Sequence, residues 1–241
     1  MISGAWHGSW CWNKIVSRLE RAGHGVIAPD LPGYGLQSPP LRAITLEMWT
    51  QHVCEILEAQ SEPVTLVGHS RAGIVLSQVA EHLPGKVRNL VYVSGFLLQA
   101  GESILRVLRA DGSSALLTYV NLTHDKGAWV VAETAVKELF YGECTDSDTA
   151  FASARLAPEP AEPLMTPIQI TAGQFGRVPR SYIECLRDKA IPLALQRKMH
   201  TASPCRQVLT LDCDHSPFFS APDELTEQLL RLVTPAKTGV Q

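Results

Sequence analysis

The ten residues Val64-Thr-Leu-Val-Gly-His-Ser-Arg-Ala-Gly73 constrain the fold of this chain more than any other stretch. A β-branched apolar run leads directly into Gly-His-Ser, and helix-forming residues begin at once. A chain that ends a strand, turns and starts a helix within so few residues needs small side chains around the turn. Gly68 lies on one side of Ser70, with Ala72 and Gly73 on the other. A serine on such a turn stands at the top of a sheet and at the start of a helix, where free N–H groups and the helix dipole favour an oxyanion. The pattern is G-x-S-x-A, with Ala72 in the place of the usual second glycine. The competing reading is a structural serine that caps a helix.

The rest of the chain repeats the same rhythm. Short apolar runs at Val26–Pro29, Val64–Val67, Val87–Ser94, Ser181–Cys185 and Val208–Leu211 read as buried strands, with Ile168–Ile170 as a weaker one. Between them, Trp12–Ala22, Leu46–Ala59, Ala72–Leu83, Pro192–Met199 and Pro222–Val233 carry apolar residues at helical spacing. Strand alternating with helix predicts a mostly parallel sheet with helices on both faces. Residues 97–166 break the alternation, with helical stretches near 103–109 and 129–140 and a proline-rich exit at Pro158–Pro163. The expectation is one domain over 1–241 with a cap inserted at 97–166, above the carboxyl ends of the strands, where open α/β sheets bind ligands. The alternative for that stretch is an irregular part of the core.

Composition narrows the partners. With 45% hydrophobic and 19% charged residues in 241, the chain reads as an ordinary globular domain. A net charge of −3 without a long run of one sign attracts neither nucleic acid nor an anionic membrane. No stretch is long and apolar enough to span a membrane, and the N-terminus lacks the features of a signal peptide. The expected address is cytoplasmic, with the six cysteines reduced. The cysteines show no CxxC pair, so no metal is expected.

A serine hydroxyl needs a base to become a nucleophile. His215, in Leu211-Asp-Cys-Asp-His-Ser-Pro217, follows the last strand and precedes the last helix. The order serine, acid, histidine is the one used where the serine sits on a strand–turn–helix elbow. Asp188, just after the strand Ser181–Cys185, is the candidate acid that orients the imidazole. Asp212 and Asp214 compete, but both lie too near His215 along the chain to face its ring easily. His69 adjoins the serine and is expected to point elsewhere.

Acyl transfer also needs two backbone donors aimed at the developing oxyanion. Arg71, directly after the serine, supplies one. The loop Ser3-Gly-Ala-Trp-His-Gly-Ser-Trp10 is the candidate source of the other, at Ala5. His7 is expected to shape that loop, and Trp10 and Trp12 to pack. Asp30-Leu-Pro-Gly-Tyr-Gly35 reads as a turn held by Asp30, not as a nucleotide-binding motif.

These strings together resemble the plant methylesterase and hydroxynitrile lyase branch of the α/β-hydrolases and its bacterial esterase relatives. The likeness runs through Gly4–Trp12, Ala22–Leu31, Val67–Gly73, Phe175–Ile183, Asp188–Pro192 and Asp212–His215. It covers most of the chain except 97–166, which matches loosely. The resemblance implies the α/β-hydrolase fold, a triad of Ser70, Asp188 and His215, donors at Ala5 and Arg71, a largely helical cap over an apolar pocket, and no cofactor. Lyases of this branch carry a threonine in the oxyanion loop and a lysine directly after the catalytic histidine; this chain has Gly4 and Ser216 there. Ser3 replaces the histidine that usually opens the oxyanion motif. The chain begins only two residues before that loop, so either the natural reading frame starts upstream or the strand there is unusually short.

The expected function is a serine esterase acting on a small carboxylic ester, methyl or aryl, through an acyl-enzyme. The alternatives are a lactone, C–C or amide hydrolase, a hydroxynitrile lyase, or a slow-turnover ligand receptor on the same fold. Trp6, Leu116, Leu117, Trp129, Phe140, Tyr141 and Met165 are the candidate pocket residues, or else the cap's own small core. The expected partner is a small-molecule ester, with a homodimer left open.

Overall fold

The computed structural model describes residues 1–35 and 38–233. Two helices, α1 (Asn13–Arg21) and α2 (Leu46–Glu58), precede strand β1 (Val64–His69), helix α3 (Ala72–His82) and strand β2 (Val87–Val93). The next stretch holds α4 (Ile104–Asp111), α5 (Leu116–Tyr119), β3 (Val120–Leu122), β4 (Ala128–Val131), α6 (Glu133–Phe140), α7 (Asp146–Ser153), β5 (Glu159–Pro160) and α8 (Ala161–Met165). Then come β6 (Arg180–Cys185), α9 (Leu193–Ala202), β7 (Gln207–Leu211), α10 (Pro217–Ser220) and α11 (Pro222–Val233).

The main sheet has the order β1-β2-β6-β7 and is parallel throughout. A parallel ladder requires crossover connections, and the helices that supply them cover the sheet. Helix α3 packs on β1 and β2, α9 on β6 and α11 on β7. Every residue of α3 from Ala72 to Ala80 is buried, because α2 covers its outer side. Helix α2 starts cleanly: Thr45 Oγ1 accepts the Met48 N–H at 3.1 Å, a cap of about 1 kcal/mol. All strands of the main sheet run the same way, so the ends of β1, β2, β6 and β7 present Ser70, Ser94, Asp188 and His215 along one rim. Among the described residues no helix is long and apolar enough to cross a membrane.

Three local expectations are corrected. Val26–Pro29 forms no strand, and Ile27 is 48% exposed. An apolar run becomes a strand only beside a partner, and the neighbouring Met1–Ser3 gives it a single bond, from the Met1 amino group to Ile27 O at 2.6 Å. Residues 1–3 themselves join the main sheet through one parallel bridge, Ile2 to Gly68. Ile168–Ile170 is likewise no strand: Ile168 is buried and exchanges backbone bonds with the Gly101–Glu102 turn. The third correction lies within 97–166, where a small sheet stands among the five helices α4 to α8. The run Trp129-Val-Val131 is β-branched and aromatic, and it pairs with Val120–Leu122 and Glu159–Pro160 in a three-stranded antiparallel sheet. The expected helix at 129–140 therefore begins only at Glu133.

Candidate active site

Ser70 links β1 to α3 with φ at +53°, a left-handed conformation that costs a non-glycine residue of order 1–3 kcal/mol. The surroundings hold it there. Its N–H donates to Val93 O at 3.2 Å, and its carbonyl accepts from Gly73 and Phe96 at 3.1 and 3.0 Å. A Cβ on Gly68 would stand 2.5 Å from Leu76 Cδ1, and one on Gly73 would stand 2.4 Å from the backbone oxygen of Phe96. The elbow therefore needs glycine at 73 and accepts alanine at 72, which explains the departure in the motif.

His215 Nε2 lies 3.1 Å from Ser70 Oγ, and His215 Nδ1 lies 2.6 Å from Asp188 Oδ2. The carboxylate only accepts, so Nδ1 carries the proton and Nε2 is left to accept the serine hydroxyl. Asp188 Oδ1 takes the N–H groups of Ala190 and Ile191 at 2.8 and 2.7 Å, and Ser94 Oγ donates to Oδ2. All three members are buried. The competing acids are engaged elsewhere. Asp214 braces the turn by accepting from Glu143 N, Ser216 N and Ser220 Oγ, and Asp212 pairs with Arg187 at 3.0 Å. His69 turns away from the serine, its Nε2 donating to His215 O at 2.7 Å, and burial pushes its pKa well below the usual histidine value. Ser94 has no signal in the sequence: it ends a strand in an unremarkable string, and only the fold brings it to Asp188.

The loop at 3–8 is held from all sides. Trp6 takes a left-handed φ of +63°. Its N–H donates to Glu159 Oε2 at 2.9 Å and Tyr34 Oη at 3.0 Å, its carbonyl accepts from Ala157 N at 3.0 Å, and its indole N–H donates to Trp129 O at 3.0 Å. His7 Nδ1 lies 2.6 Å from Ala5 O and therefore carries the proton there; its Nε2 accepts from Tyr141 Oη, also at 2.6 Å. Burial lowers the His7 pKa from 6.5 to about 4, so the ring is neutral. Burial also holds the Tyr141 phenol well above its usual value, which keeps it a donor. Ser3 Oγ donates to His7 O at 2.8 Å. Among the described residues, the N–H groups of Ala5 and Arg71 donate to no protein acceptor.

The Arg71 side chain runs beneath this loop, fully buried. Its Nη2 donates to Gly4 O at 2.9 Å, and its Nε stands 2.9 Å from Glu159 Oε1. The guanidinium lies over the Trp49 indole, 4.3 Å from the ring centre. Burial drives both groups toward neutrality, Arg71 down to about 9 and Glu159 up to about 8, and the Trp6 N–H on Glu159 resists that drive in the carboxyl. The sequence gives Arg71 only a backbone role and gives Glu159 none.

Ala5, Trp6, Ser70 and Arg71 line an apolar cavity with Phe96, Ile104, Leu105, Leu108, Leu116, Leu117, Val120, Trp129 and Leu164. Of the candidate pocket residues, Trp6, Leu116, Leu117 and Trp129 are on this wall. Phe140 and Tyr141 are not: Phe140 packs 5.6 Å from the Trp6 ring and 5.7 Å from the His215 ring, and the Tyr141 hydroxyl is taken by His7. Met165 is 46% exposed and also absent from the wall.

Several known proteins are similar to this chain. Putative methylesterase 11, chloroplastic, of Arabidopsis thaliana is 32% identical over 250 residues, covering 98% of this chain. This chain spans 64% of that protein's length. Methylesterase 7 of the same plant is 32% identical over 247 residues, covering 96% of this chain and 94% of its own. The structure of a pyrethroid hydrolase from Sphingobium faniae superposes with a TM-score of 0.87 at 28% identity, covering 96% of this chain and 94% of that one. The model of the alpha/beta hydrolase family matches residues 1–228, and the chain belongs to that family.

Proposed function

We propose that the protein is a serine esterase that cleaves small carboxylic esters with an apolar acyl or alcohol group through an acyl-enzyme. The observation that carries this reading is the series Ser70–His215–Asp188, joined at 3.1 and 2.6 Å where Ser70 meets an apolar cavity. Ser70 Oγ attacks the ester carbonyl as His215 Nε2 takes its proton. Asp188 keeps the imidazole in the required tautomer and stabilises the imidazolium. The N–H groups of Ala5 and Arg71 hold the oxyanion; each such donor is worth roughly 3–4 kcal/mol in the transition state. The alcohol leaves with the proton from His215. Water then attacks the acyl-enzyme by the same steps in reverse roles. On this reading residues 97–166 act as a cap, since α4, α5, β3, β4 and α8 all contribute to the cavity wall.

The methylesterase names of the two plant relatives and the hydrolase name of the bacterial structure agree with ester cleavage. Two features speak against the lyase alternative. A Cβ at Gly4 would stand 2.6 Å from His69 Nδ1 and 3.0 Å from Ser70 Cβ, so the lyase threonine has no room here. Ser216, where the lyase has its lysine, carries no charge and is buried.

The test is steady-state turnover of p-nitrophenyl acetate and a panel of methyl and aryl esters by the wild type and by Ser70→Ala. Wild-type turnover that falls at least about 10⁴-fold in a folded Ser70→Ala variant is expected. Retained turnover in that variant overturns the mechanism; a single burst without turnover in the wild type favours the receptor reading.

A further inference from the structure

We infer that Arg71 takes part in oxyanion binding twice: its backbone N–H is one donor, and its buried guanidinium, anchored by Glu159, positions the other donor, the N–H of Ala5. This rests on the acyl-transfer reading above and adds a positioning residue to it.

The argument starts from the peptide unit. Gly4 C=O and Ala5 N–H belong to one planar trans group and point in opposite directions. Arg71 Nη2 holds the Gly4 oxygen at 2.9 Å. Fixing that oxygen turns the Ala5 N–H away from the guanidinium, and Ala5 lines the same cavity as Ser70. The following peptide is fixed too: Ala5 O lies 2.6 Å from His7 Nδ1, and Trp6 N–H donates to Glu159 Oε2 at 2.9 Å. Both peptide planes flanking Ala5 are thereby set, on one side by Arg71 and on the other by the carboxylate facing Arg71. A left-handed Trp6 persists only where its surroundings over-determine it, and this clamp is a large part of them.

The electrostatics point the same way. A buried ion pair adds little net stability compared with apolar groups of the same volume. What this pair supplies is direction. The positive charge on the Gly4 carbonyl polarises the peptide and strengthens its N–H as a donor. Glu159 Oε1 at 2.9 Å and the Trp49 ring at 4.3 Å keep the guanidinium from swinging out. The planar fork of arginine reaches Gly4 O and Glu159 together, which a single ammonium does less well.

The experiment compares the 241-residue wild type with Arg71→Met, which keeps the backbone N–H and removes the guanidinium. Three quantities are read: kcat and KM on a p-nitrophenyl ester, inhibition by a trifluoromethyl ketone whose serine adduct carries the oxyanion, and stoichiometric labelling of Ser70 by a fluorophosphonate. The expected result is a fall in kcat of at least about tenfold, little change in KM, and ketone affinity lost in parallel with kcat. Arg71→Lys recovers part of the loss. A folded Arg71→Met that keeps kcat and ketone affinity within about twofold overturns the inference. Should the single variant not fold, Arg71→Met/Glu159→Gln, which leaves no lone buried charge, is read by the same criteria. Absence of labelling at Ser70 in the wild type overturns the acyl-transfer reading itself; normal labelling with an unaffected variant overturns only the role of the Arg71 side chain.

Discussion

Ser94 donates its hydroxyl to the Oδ2 atom of Asp188, the same oxygen that meets His215 Nδ1. His215 is thus oriented by a carboxylate that is itself fixed from three directions, by Ser94 and by the N–H groups of Ala190 and Ile191. Replacing Ser94 with alanine leaves Asp188 one donor short in a buried place. The expected cost is about 1–3 kcal/mol of stability, typical of a lost bond to a charged group, with kcat lowered as the imidazole loses its alignment. Chemical denaturation and steady-state kinetics of Ser94→Ala check both; unchanged values in both would remove Ser94 from the catalytic arrangement.

The elbow makes a prediction of position. Gly73→Ala drives a methyl group to 2.4 Å from Phe96 O, a backbone atom that cannot swing aside. It should destabilise the protein by roughly 1–3 kcal/mol, as overpacking does. Ala72→Gly, the change that would restore the common motif, relieves no clash and loses helix propensity of about 1 kcal/mol. Urea midpoints of the two variants should show Gly73→Ala as the more damaging.

His7 links pH to stability. Its folded pKa of about 4 lies below the unfolded value of 6.5, so between these limits the unfolded chain binds the extra proton. The corresponding stability is complete above pH 6.5 and is lost as pH falls through 4, amounting to about 3 kcal/mol. His69, lowered in the same direction by burial, steepens the fall. Urea titrations from pH 8 to pH 4 should show this loss, and His7→Gln should have a shallower dependence even though it is less stable at pH 7. An equal slope in the variant would assign the acid lability elsewhere.

The cavity wall should set the size of substrate. Leu108 on α4 is buried and lines the cavity beside Ser70. Leu108→Trp fills that volume, and turnover of longer acyl chains should drop several-fold more than turnover of acetate. A panel of p-nitrophenyl esters of increasing chain length measures the shift; a uniform drop across the panel would mean the acyl group lies elsewhere.

The legible parts of this protein were those encoded locally. The elbow at Gly68–Gly73 announces itself because backbone sterics demand small residues in sequence, and the strand at 87 because burial on both faces leaves the apolar run Leu90–Val93; the edge strand at 207–211 is mostly exposed, with Val208 41% accessible, and is legible only by its β-branched residues. Asp188 and His215 were legible by their place just after such strands. Val26–Pro29 misled because apolar content does not say whether a partner strand lies alongside. Ala128–Val131 is ambiguous because a four-residue apolar run fits either periodicity. Glu159 and Ser94 were invisible for another reason. Each matters through one oxygen atom that the tertiary fold carries to Arg71 or Asp188, and no spacing along the chain records it.

The hydrophobic wall around Ser70 has a kinetic corollary. Leucines, tryptophans and a phenylalanine shelter Ser70, and the one cation among the lining residues, Arg71, is bound to Gly4 and faces Glu159. Hydration at this spot depends on what occupies it. On the proposed mechanism, an acyl group that fills the chamber leaves no place for the molecule that must release it, so the lifetime of the covalent adduct lengthens with its bulk. A single surface would then separate substrates from inhibitors by volume alone.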